Sequence, residues 1–227
     1  IISDYTTEDM PNFKSVLENY GVRTVDGVVM EGDTDHYISQ NPYYLLPDIK
    51  STDITSSLSS GSRYVLMALA QGIETIDNVR DSLNVQSILS TSDSAYSKTD
   101  LENMQTVEKE SSDIDGPFDL AVAITEEVSD DAETQIVYFS SSTIFDDTIN
   151  SYVSGTNYEL LSSSLSWLCQ TEEDSTSTIS IASKSLDTSS LTISAADVSF
   201  WSIVVTAVIP VCILVIGFGI WMKRRKQ

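Results

Sequence analysis

The sequence is poor in the side chains from which most catalytic and metal sites are built. It contains two cysteines and one histidine in 227 residues. Cys212 lies within a long apolar segment and Cys169 lies outside it, so we expect no internal disulfide and a fold that depends on its core. No Gly-x-Ser-x-Gly turn occurs, and nothing near His36 suggests that it orients a nucleophile, so serine hydrolysis is not indicated.

Basic residues are also scarce. Lysine and arginine together number 12 against 34 aspartates and glutamates, for a formal net charge of -22. Four of the basic residues close the chain, so residues 1–198 carry 8 basic and 34 acidic residues, a charge of -26. Such a surface repels nucleic acid and anionic lipid headgroups, which predicts no nucleic-acid partner. A charge of this size more often keeps an extracellular protein soluble than it marks a cation site.

The chain lacks the loops that usually bind phosphates or metals. No glycine-rich phosphate loop is present, so the chain is not expected to bind and hydrolyse ATP. One acidic run contains possible ligands for a divalent metal: Glu31, Asp33, Asp35 and His36. Its spacing matches no established metal loop, and the acid pairs further on are better explained as solvated strand ends. We therefore predict a protein that is not an enzyme and has no catalytic, cofactor-binding or metal-binding residues.

One long hydrophobic run ends the chain. Residues 199–222 carry no charge. Four basic residues follow at once: Lys223, Arg224, Arg225 and Lys226. Trp201 and Trp221 are twenty residues apart, about 30 Å along a helix, which matches the hydrocarbon thickness of a bilayer. The pattern predicts a transmembrane helix over residues 199–222, bent at Pro210, followed by a basic tail over residues 223–227.

The basic tail predicts the orientation of this helix. By the positive-inside rule the tail stays in the cytoplasm, which places everything before residue 199 outside. We therefore expect a single-pass protein of the cell (plasma) membrane with an extracytoplasmic main domain. The absence of any Asn-x-Ser/Thr acceptor mildly favours a bacterial surface. Because Ile1 is not an initiator and no leader follows it, we expect the chain to be a fragment that begins inside a domain.

Periodicity predicts two helices in the body. The first opens at Asp9 and presents the apolar residues at positions 13, 16, 17 and 20 on one face before Gly21 stops it. The second covers residues 157–169 and should pack on the sheet. Its predicted core face consists of four residues, with Trp167 beside them: Tyr158, Leu161, Leu165 and Leu168.

Short apolar runs without polar alternation predict strands that are buried on both faces, as in a sheet flanked by helices. They cover residues 64–70, 85–89, 120–124 and 136–139. The polar residues 97–116 predict an excursion over the surface. We therefore expect an α/β domain over residues 1–170, followed by a polar Ser/Thr/acidic hairpin or stalk over residues 171–198.

Several segments together resemble one family, and their order and spacing matter more than any single motif. The segments are MPNFKSVLENYGV (10–22), VVMEGD (28–33), NPYYLLPDI (41–49), ILSTSDSAYSK (88–98), GPFDLAVAI (116–124), VYFSSSTIFDD (137–147), NYELLSSSLSWL (157–168) and the final apolar helix with KRRK. They resemble the carboxy-terminal half of the gliding-motility-type (Gld-like) ABC transporter auxiliary, substrate-binding-like proteins.

The resemblance implies a fold and a role. The fold is a partial glutamine-amidotransferase-like (flavodoxin-like), mostly parallel sheet with flanking helices, without a catalytic nucleophile, plus one C-terminal transmembrane helix. The implied partners are an ABC permease and an ATPase subunit, with the transported substance unknown. Asn157, Trp167 and the loop at residues 140–142 match the strongest positions of the family. In an open α/β sheet that loop would bind a ligand, although packing of its small residues explains the loop better.

Two other functions remain open at this point. A surface adhesin or sensor ectodomain unrelated to transport would share the anchor and the acidic body. A degenerate hydrolase would require an acid, a base or a nucleophile in a shared pocket. Our first hypothesis is a non-catalytic, membrane-anchored extracytoplasmic component of an ABC-type transport system.

Overall fold

A computed structural model describes residues 1–58, 63–76, 80–101, 106–129, 132–169 and 193–225. Its helices are α1 (Pro11–Asn19), α2 (Asp147–Tyr152), α3 (Thr156–Leu168), α4 (Ala195–Ile203) and α5 (Ile209–Arg225), with a short 3-10 helix at Ser142–Phe145 and a π-helical turn at Val204–Val208. The two helices predicted in the body are therefore confirmed as α1 and α3. The predicted stalk falls largely outside the described residues.

The strands form three sheets. They are β1 (Val22–Thr24), β2 (Val28–Met30), β3 (Tyr44–Leu45), β4 (Asp48–Ile49), β5 (Met67–Ala68), β6 (Ile73–Thr75), β7 (Leu83–Ser90), β8 (Tyr96–Lys98), β9 (Ile114–Asp115), β10 (Asp119–Ser129) and β11 (Ala132–Phe139). The main sheet has the order β1-β6-β10-β7-β4, with β11 also paired to β10. A second sheet has the order β2-β8-β9, and β3 pairs with β5.

The prediction of a mostly parallel, flavodoxin-like sheet is wrong. Every pairing between these named strands is antiparallel. Only residues 130 and 131 separate β10 from β11, a connection that suits a hairpin, whereas parallel neighbours need a crossover of a dozen residues or more. The parallel contact in the described chain is an isolated bridge between Ile2 and Phe139.

Burial on both faces of the sheet explains why the apolar runs looked parallel. Successive side chains of β10 point to opposite faces. Ala121 and Ala123 pack in a cluster with Leu160 and Leu161 of α3, whereas Val122 packs in another cluster on the α1 side. A strand that is covered on both faces has no polar alternation, whether it runs parallel or antiparallel to its neighbours. The apolar runs therefore indicated burial on both faces and not the direction of the strands.

The buried face of α3 agrees with the predicted one at Leu161, with Trp167 packed against the core, and differs from it elsewhere. Leu165 is 64% exposed, and Tyr158 is exposed as well. The buried positions have the same helical spacing but are partly polar: Thr156, Asn157, Leu160, Leu161 and Ser164. Small and polar residues form much of this face because α3 hydrogen-bonds to the chain beneath it.

Residues 97–116, predicted to pass over the surface, also contribute a buried strand to the fold. Strand β8 is buried along its whole length and pairs with both β2 and β9. The Lys98 ammonium is fully buried and donates to Glu108 O at 3.0 Å and to Glu110 Oε2 at 3.1 Å. A polar segment thus enters the interior because its charged groups are paired there.

The described chain contains one helical stretch long and apolar enough to cross a membrane. It runs from Ala195 to Arg225 over 31 residues, and the window that qualifies is 0% buried in the protein. The helical path therefore begins four residues before the predicted span. A π-helical turn precedes Pro210, whose ring removes one backbone donor and crowds the preceding turn. The bend at Pro210 stays a prediction.

Candidate functional site: a polar cleft beside the apolar C-terminal helix

A cleft of about 1000 Å³ lies at one end of the main sheet. Strands β1, β4, β6, β7 and β10, with residues next to β4 and β10, form part of its wall, and the loops around residues 33–36 and 91–94 complete it. Most of the lining side chains are hydroxyls or charged groups, with Ile73 and Phe118 as apolar members. A cleft of this size and chemistry suits a small polar molecule.

Strand register places three polar residues side by side in the cleft wall. Ser90 on β7 is the partner of Asp48 on β4 and also of Asp119 on β10. Directly paired residues present their side chains on the same face of a sheet, a few ångströms apart. Asp48, Ser90 and Asp119 therefore form a short cross-strand row, which we call the acid–serine row.

Asp119 is the half-buried member of this row. Burial raises the pKa of Asp119 above its ordinary value, while a hydrogen bond from Ser87 and the positive charge of Lys50 oppose the rise. The Ser87 hydroxyl donates to Oδ1 of the carboxylate. Within the described residues, Oδ2 receives no hydrogen bond, so this oxygen is free to accept one from a ligand.

Ser90 is the buried member. It is only 7% exposed, and within the described chain its hydroxyl has no hydrogen-bond partner. Buried hydroxyl groups are nearly always paired with protein or water, so an unpaired one in a cavity wall needs an explanation. A hydroxyl can both donate and accept, which lets Ser90 complete the coordination of a polar group held by Asp119.

His36 lies at the rim between two carboxylates. Its Nδ1 is 3.3 Å from Asp33 Oδ2, at an angle too poor for a hydrogen bond, and its Nε2 is 3.4 Å from Asp48 Oδ1. Asp48 Oδ2 lies 3.6 Å from the Lys50 ammonium. The rim is therefore a chain of alternating acidic and basic groups that fixes Asp48 in place.

The residues considered above as metal ligands, Glu31, Asp33, Asp35 and His36, do not form one site. Glu31 is buried and accepts from the Ser92 hydroxyl at 2.6 Å and from Ser92 N at 3.2 Å, so it joins the two loops that border the cleft. Asp35 is exposed. Among the described residues, no group of three or more histidines, cysteines or acids is arranged to hold a metal ion.

The residues that match the resembled family serve packing. The side chains of Ser140 and Ser141 are fully buried and donate to backbone carbonyls, Ser141 to Ala68 O at 2.7 Å. Asn157 donates to Leu66 O at 2.8 Å and accepts from Leu66 N at 3.0 Å. Neither group lines the cleft, so the loop after β11 is a packing element and not the ligand loop that an open sheet would place there.

The anchor residues lie on the exposed C-terminal helix. Trp201 is 61% exposed and Trp221 is 52% exposed, and the Arg225 guanidinium lies 5.3 Å from the Trp221 ring centroid. Lys223 and Arg224 close the helix with Arg225. Lys226 lies outside the described residues.

The start of this helix is docked beside the cleft. Ala195 N donates to Tyr37 O at 3.2 Å, and Ala196 N donates to Thr34 O at 3.3 Å. Ser194 caps the helix by accepting from Asp197 N. The loop that receives these bonds also carries Asp33 and His36, so one loop contacts both the cleft rim and the start of the apolar C-terminal helix.

Sequence reasoning missed the acid–serine row because its members are far apart in the chain. Asp48 and Asp119 each begin a strand, and Ser90 ends one. Single polar residues at the ends of apolar runs are a weak signal, since solvated strand ends look the same. Only the register between β4, β7 and β10 brings them together.

No protein-family model matches the chain, and no curated protein matches it. Among solved structures, it is similar to a chain described as "mmIFT52 N-terminal domain", with 12% sequence identity and a TM-score of 0.47. The match covers 71% of this chain and 59% of that chain, less than two thirds of its length. A similarity this weak carries no argument about fold or function.

Proposed function

We propose that this chain is a non-catalytic, membrane-anchored extracytoplasmic component of an ABC-type transport system, which works with a separate permease and ATPase. The segment order that resembles the gliding-motility-type auxiliary proteins supports the transport role. The ATPase supplies the energy, because the chain has no phosphate-binding loop of its own. Its own part is to hold or hand over a substance outside the membrane.

The docking of the membrane helix on the rim of the cleft carries this proposal. Ala195 and Ala196 donate to the loop at residues 34–37, and the uncharged segment begins at residue 199. Four helical residues rise about 6 Å, so the cleft rim lies about one helical turn from the start of the apolar segment. A permease in the same bilayer is then within reach of whatever the cleft holds.

The charge distribution supports the proposed orientation. The body carries -26 and the tail after residue 222 carries four positive charges. Basic residues next to a span are retained in the cytoplasm, and an acidic body is repelled by anionic headgroups. In this arrangement the body stands outside the cell membrane, held near it by the docked helix.

Affinity purification from the native host tests the proposal. The full-length protein, tagged on its body and solubilised in mild detergent after brief cross-linking, should recover a multi-span permease and an ATPase. The control is a chain whose residues 199–222 are replaced by an unrelated span of equal length that keeps both tryptophans and the basic end. Recovery of neither partner with the native span would overturn the transport role and favour an adhesin or sensor ectodomain.

A further inference from the structure

The polar cleft has an excess of negative charge that its own basic residues do not neutralise. Five carboxylates line it: Asp33, Asp48, Glu74, Asp93 and Asp119. Arg23 pairs with Glu74 at 2.6 Å, and Lys50 pairs with Asp48. Among the described residues, the other three carboxylates have no lysine or arginine within 4.0 Å. The cleft therefore favours a positively charged occupant.

An unpaired, buried hydroxyl in the wall points to a bound molecule independently of this charge. Ser90 is 7% exposed and its Oγ is unpartnered in the described chain, next to the carboxylate of Asp119 in the strand register. The first carboxylate oxygen of Asp119 is occupied by Ser87. The second oxygen and the Ser90 hydroxyl are therefore two hydrogen-bonding groups without a partner among the described residues, on paired residues of the same wall.

The size of the cleft decides between a bare ion and an organic cation. At about 1000 Å³ it is far larger than a metal ion needs, and within the described residues no carboxylates converge as a metal cage. An ammonium group carries up to three donors and needs only a few acceptors. The exposed ring of Pro117 in the wall suits the carbon chain that joins such a group to the rest of a ligand.

We propose that the cleft binds a small organic cation, whose ammonium group donates to Asp119 Oδ2 and to Ser90 Oγ. Asp33 and Asp93, which have no lysine or arginine within 4.0 Å among the described residues, add long-range attraction at the cleft edge. This inference gives a ligand class to the cleft that the proposed function uses. It does not depend on the transporter, because ligand binding and partner recovery are measured separately, and either one can fail alone.

Isothermal titration calorimetry on the full chain in an uncharged detergent tests the proposal. The probe is 1,4-diaminobutane, and two molecules of equal length without ammonium groups are compared with it, 1,4-butanediol and succinate. We expect the diamine to bind with a dissociation constant below about 1 mM, and the diol and the diacid to bind at least tenfold more weakly. Calcium and magnesium chloride are titrated alone in parallel.

Two variants connect this binding to the acid–serine row. Asp119→Asn should weaken diamine binding about tenfold or more, because it removes a charged acceptor. Ser90→Ala should weaken it about fivefold while the charge of the cleft is unchanged. Asp81→Asn is the matched control, since this exposed carboxyl precedes β7 and lies about 30 Å along the strand from Ser90. Circular dichroism melts verify that each variant is folded.

Four results would overturn the inference. They are no heat of diamine binding up to about 10 mM, equal affinity for the diol, equal weakening by the control variant Asp81→Asn, and tighter binding of calcium or magnesium that Asp119→Asn abolishes. If Asp119→Asn fails to fold, the Ser90→Ala variant decides, because unchanged affinity in that variant contradicts the assigned contact.

Discussion

Lys98 shows how a single residue can bring a polar segment into the interior. Burial disfavours its charged form, but hydrogen bonds from the ammonium to Glu110 and Asp113, together with their charges, outweigh this and raise its pKa. The stabilisation is therefore fully present below the ordinary lysine pKa and is lost as pH rises through the raised value. Asp113 is almost fully buried beside it, with a side-chain exposure of 1%.

Replacing Lys98 should be costly. Lys98→Met removes the only positive charge within 4.0 Å of Asp113 among the described residues and leaves a buried carboxylate unpaired. We expect the free energy of unfolding to fall by about 3 kcal/mol, as for other buried pairs that lose one partner. Urea unfolding in detergent followed by circular dichroism measures it.

The same loop offers the control for this prediction. Lys109 pairs with Asp115, and both side chains are largely exposed. Lys109→Met should change the free energy of unfolding by less than about 1 kcal/mol, because exposed ion pairs contribute little. Equal effects of the two substitutions would show that the burial of Lys98 does not matter.

Asp119 should impose a pH dependence on stability. Its pKa is raised in the folded protein, so between the ordinary and the raised value the folded state binds more protons than the unfolded state. The free energy of unfolding therefore falls as pH rises through this window and becomes level above it. Asp119→Asn should abolish this step and increase stability at neutral pH.

Urea unfolding from pH 4 to pH 8 compares the two proteins. Ser87→Ala should have an effect of its own, because loss of its hydrogen bond should raise the pKa of Asp119 further. The fall in the free energy of unfolding should then extend to higher pH. Parallel stability curves for the native chain and Asp119→Asn would contradict the burial of this carboxyl.

At the scale of elements, Asn157 joins α3 to the segment before β5. Its side chain satisfies both the N–H and the C=O of Leu66, which is itself fully buried. Asn157→Ala should lower the free energy of unfolding by about 3 kcal/mol, because two buried backbone groups lose their partners. Ser162→Ala, at an exposed position of the same helix, should change it by less than about 0.5 kcal/mol. Alanine favours a helix at both positions, so a comparable loss in both variants would contradict the role assigned to the Leu66 hydrogen bonds.

The existence of α1 and α3 could be predicted from periodicity, but the buried face of α3 could not. The apolar pattern was right for Leu161 and for Trp167 beside it, which pack on the core, but it missed Leu160. It also placed Tyr158 and Leu165 on the core face, and both are exposed. A helix face that makes hydrogen bonds to a neighbouring segment has to contain polar residues, and a hydrophobic pattern assigns such residues to solvent. For the same reason the burial of Ser90 could not be predicted, because its environment depends on the register of β7 against β4 and β10.

For the whole molecule, the two cysteines provide a test of the proposed topology. Cys169 ends α3 and is exposed, whereas Cys212 lies within the apolar helix. On intact cells a membrane-impermeant maleimide should label the protein through Cys169. Cys169→Ser should remove the label, and Cys212→Ser should keep it, because a thiol surrounded by lipid is not reached. Labelling only after permeabilisation would reverse the orientation.

The sequence by itself determined the apolar C-terminal helix, the acidic body and the positions of the main strands, because these follow from local composition and periodicity. Only the tertiary structure decided that neighbouring strands run antiparallel, and only it placed Asp48, Ser90 and Asp119 in one wall beside the start of the membrane helix. The physical reason is that strand direction and register depend on pairings between residues far apart in the chain, such as Asp48 with Ser90 and Val28 with Lys98, which no local pattern encodes.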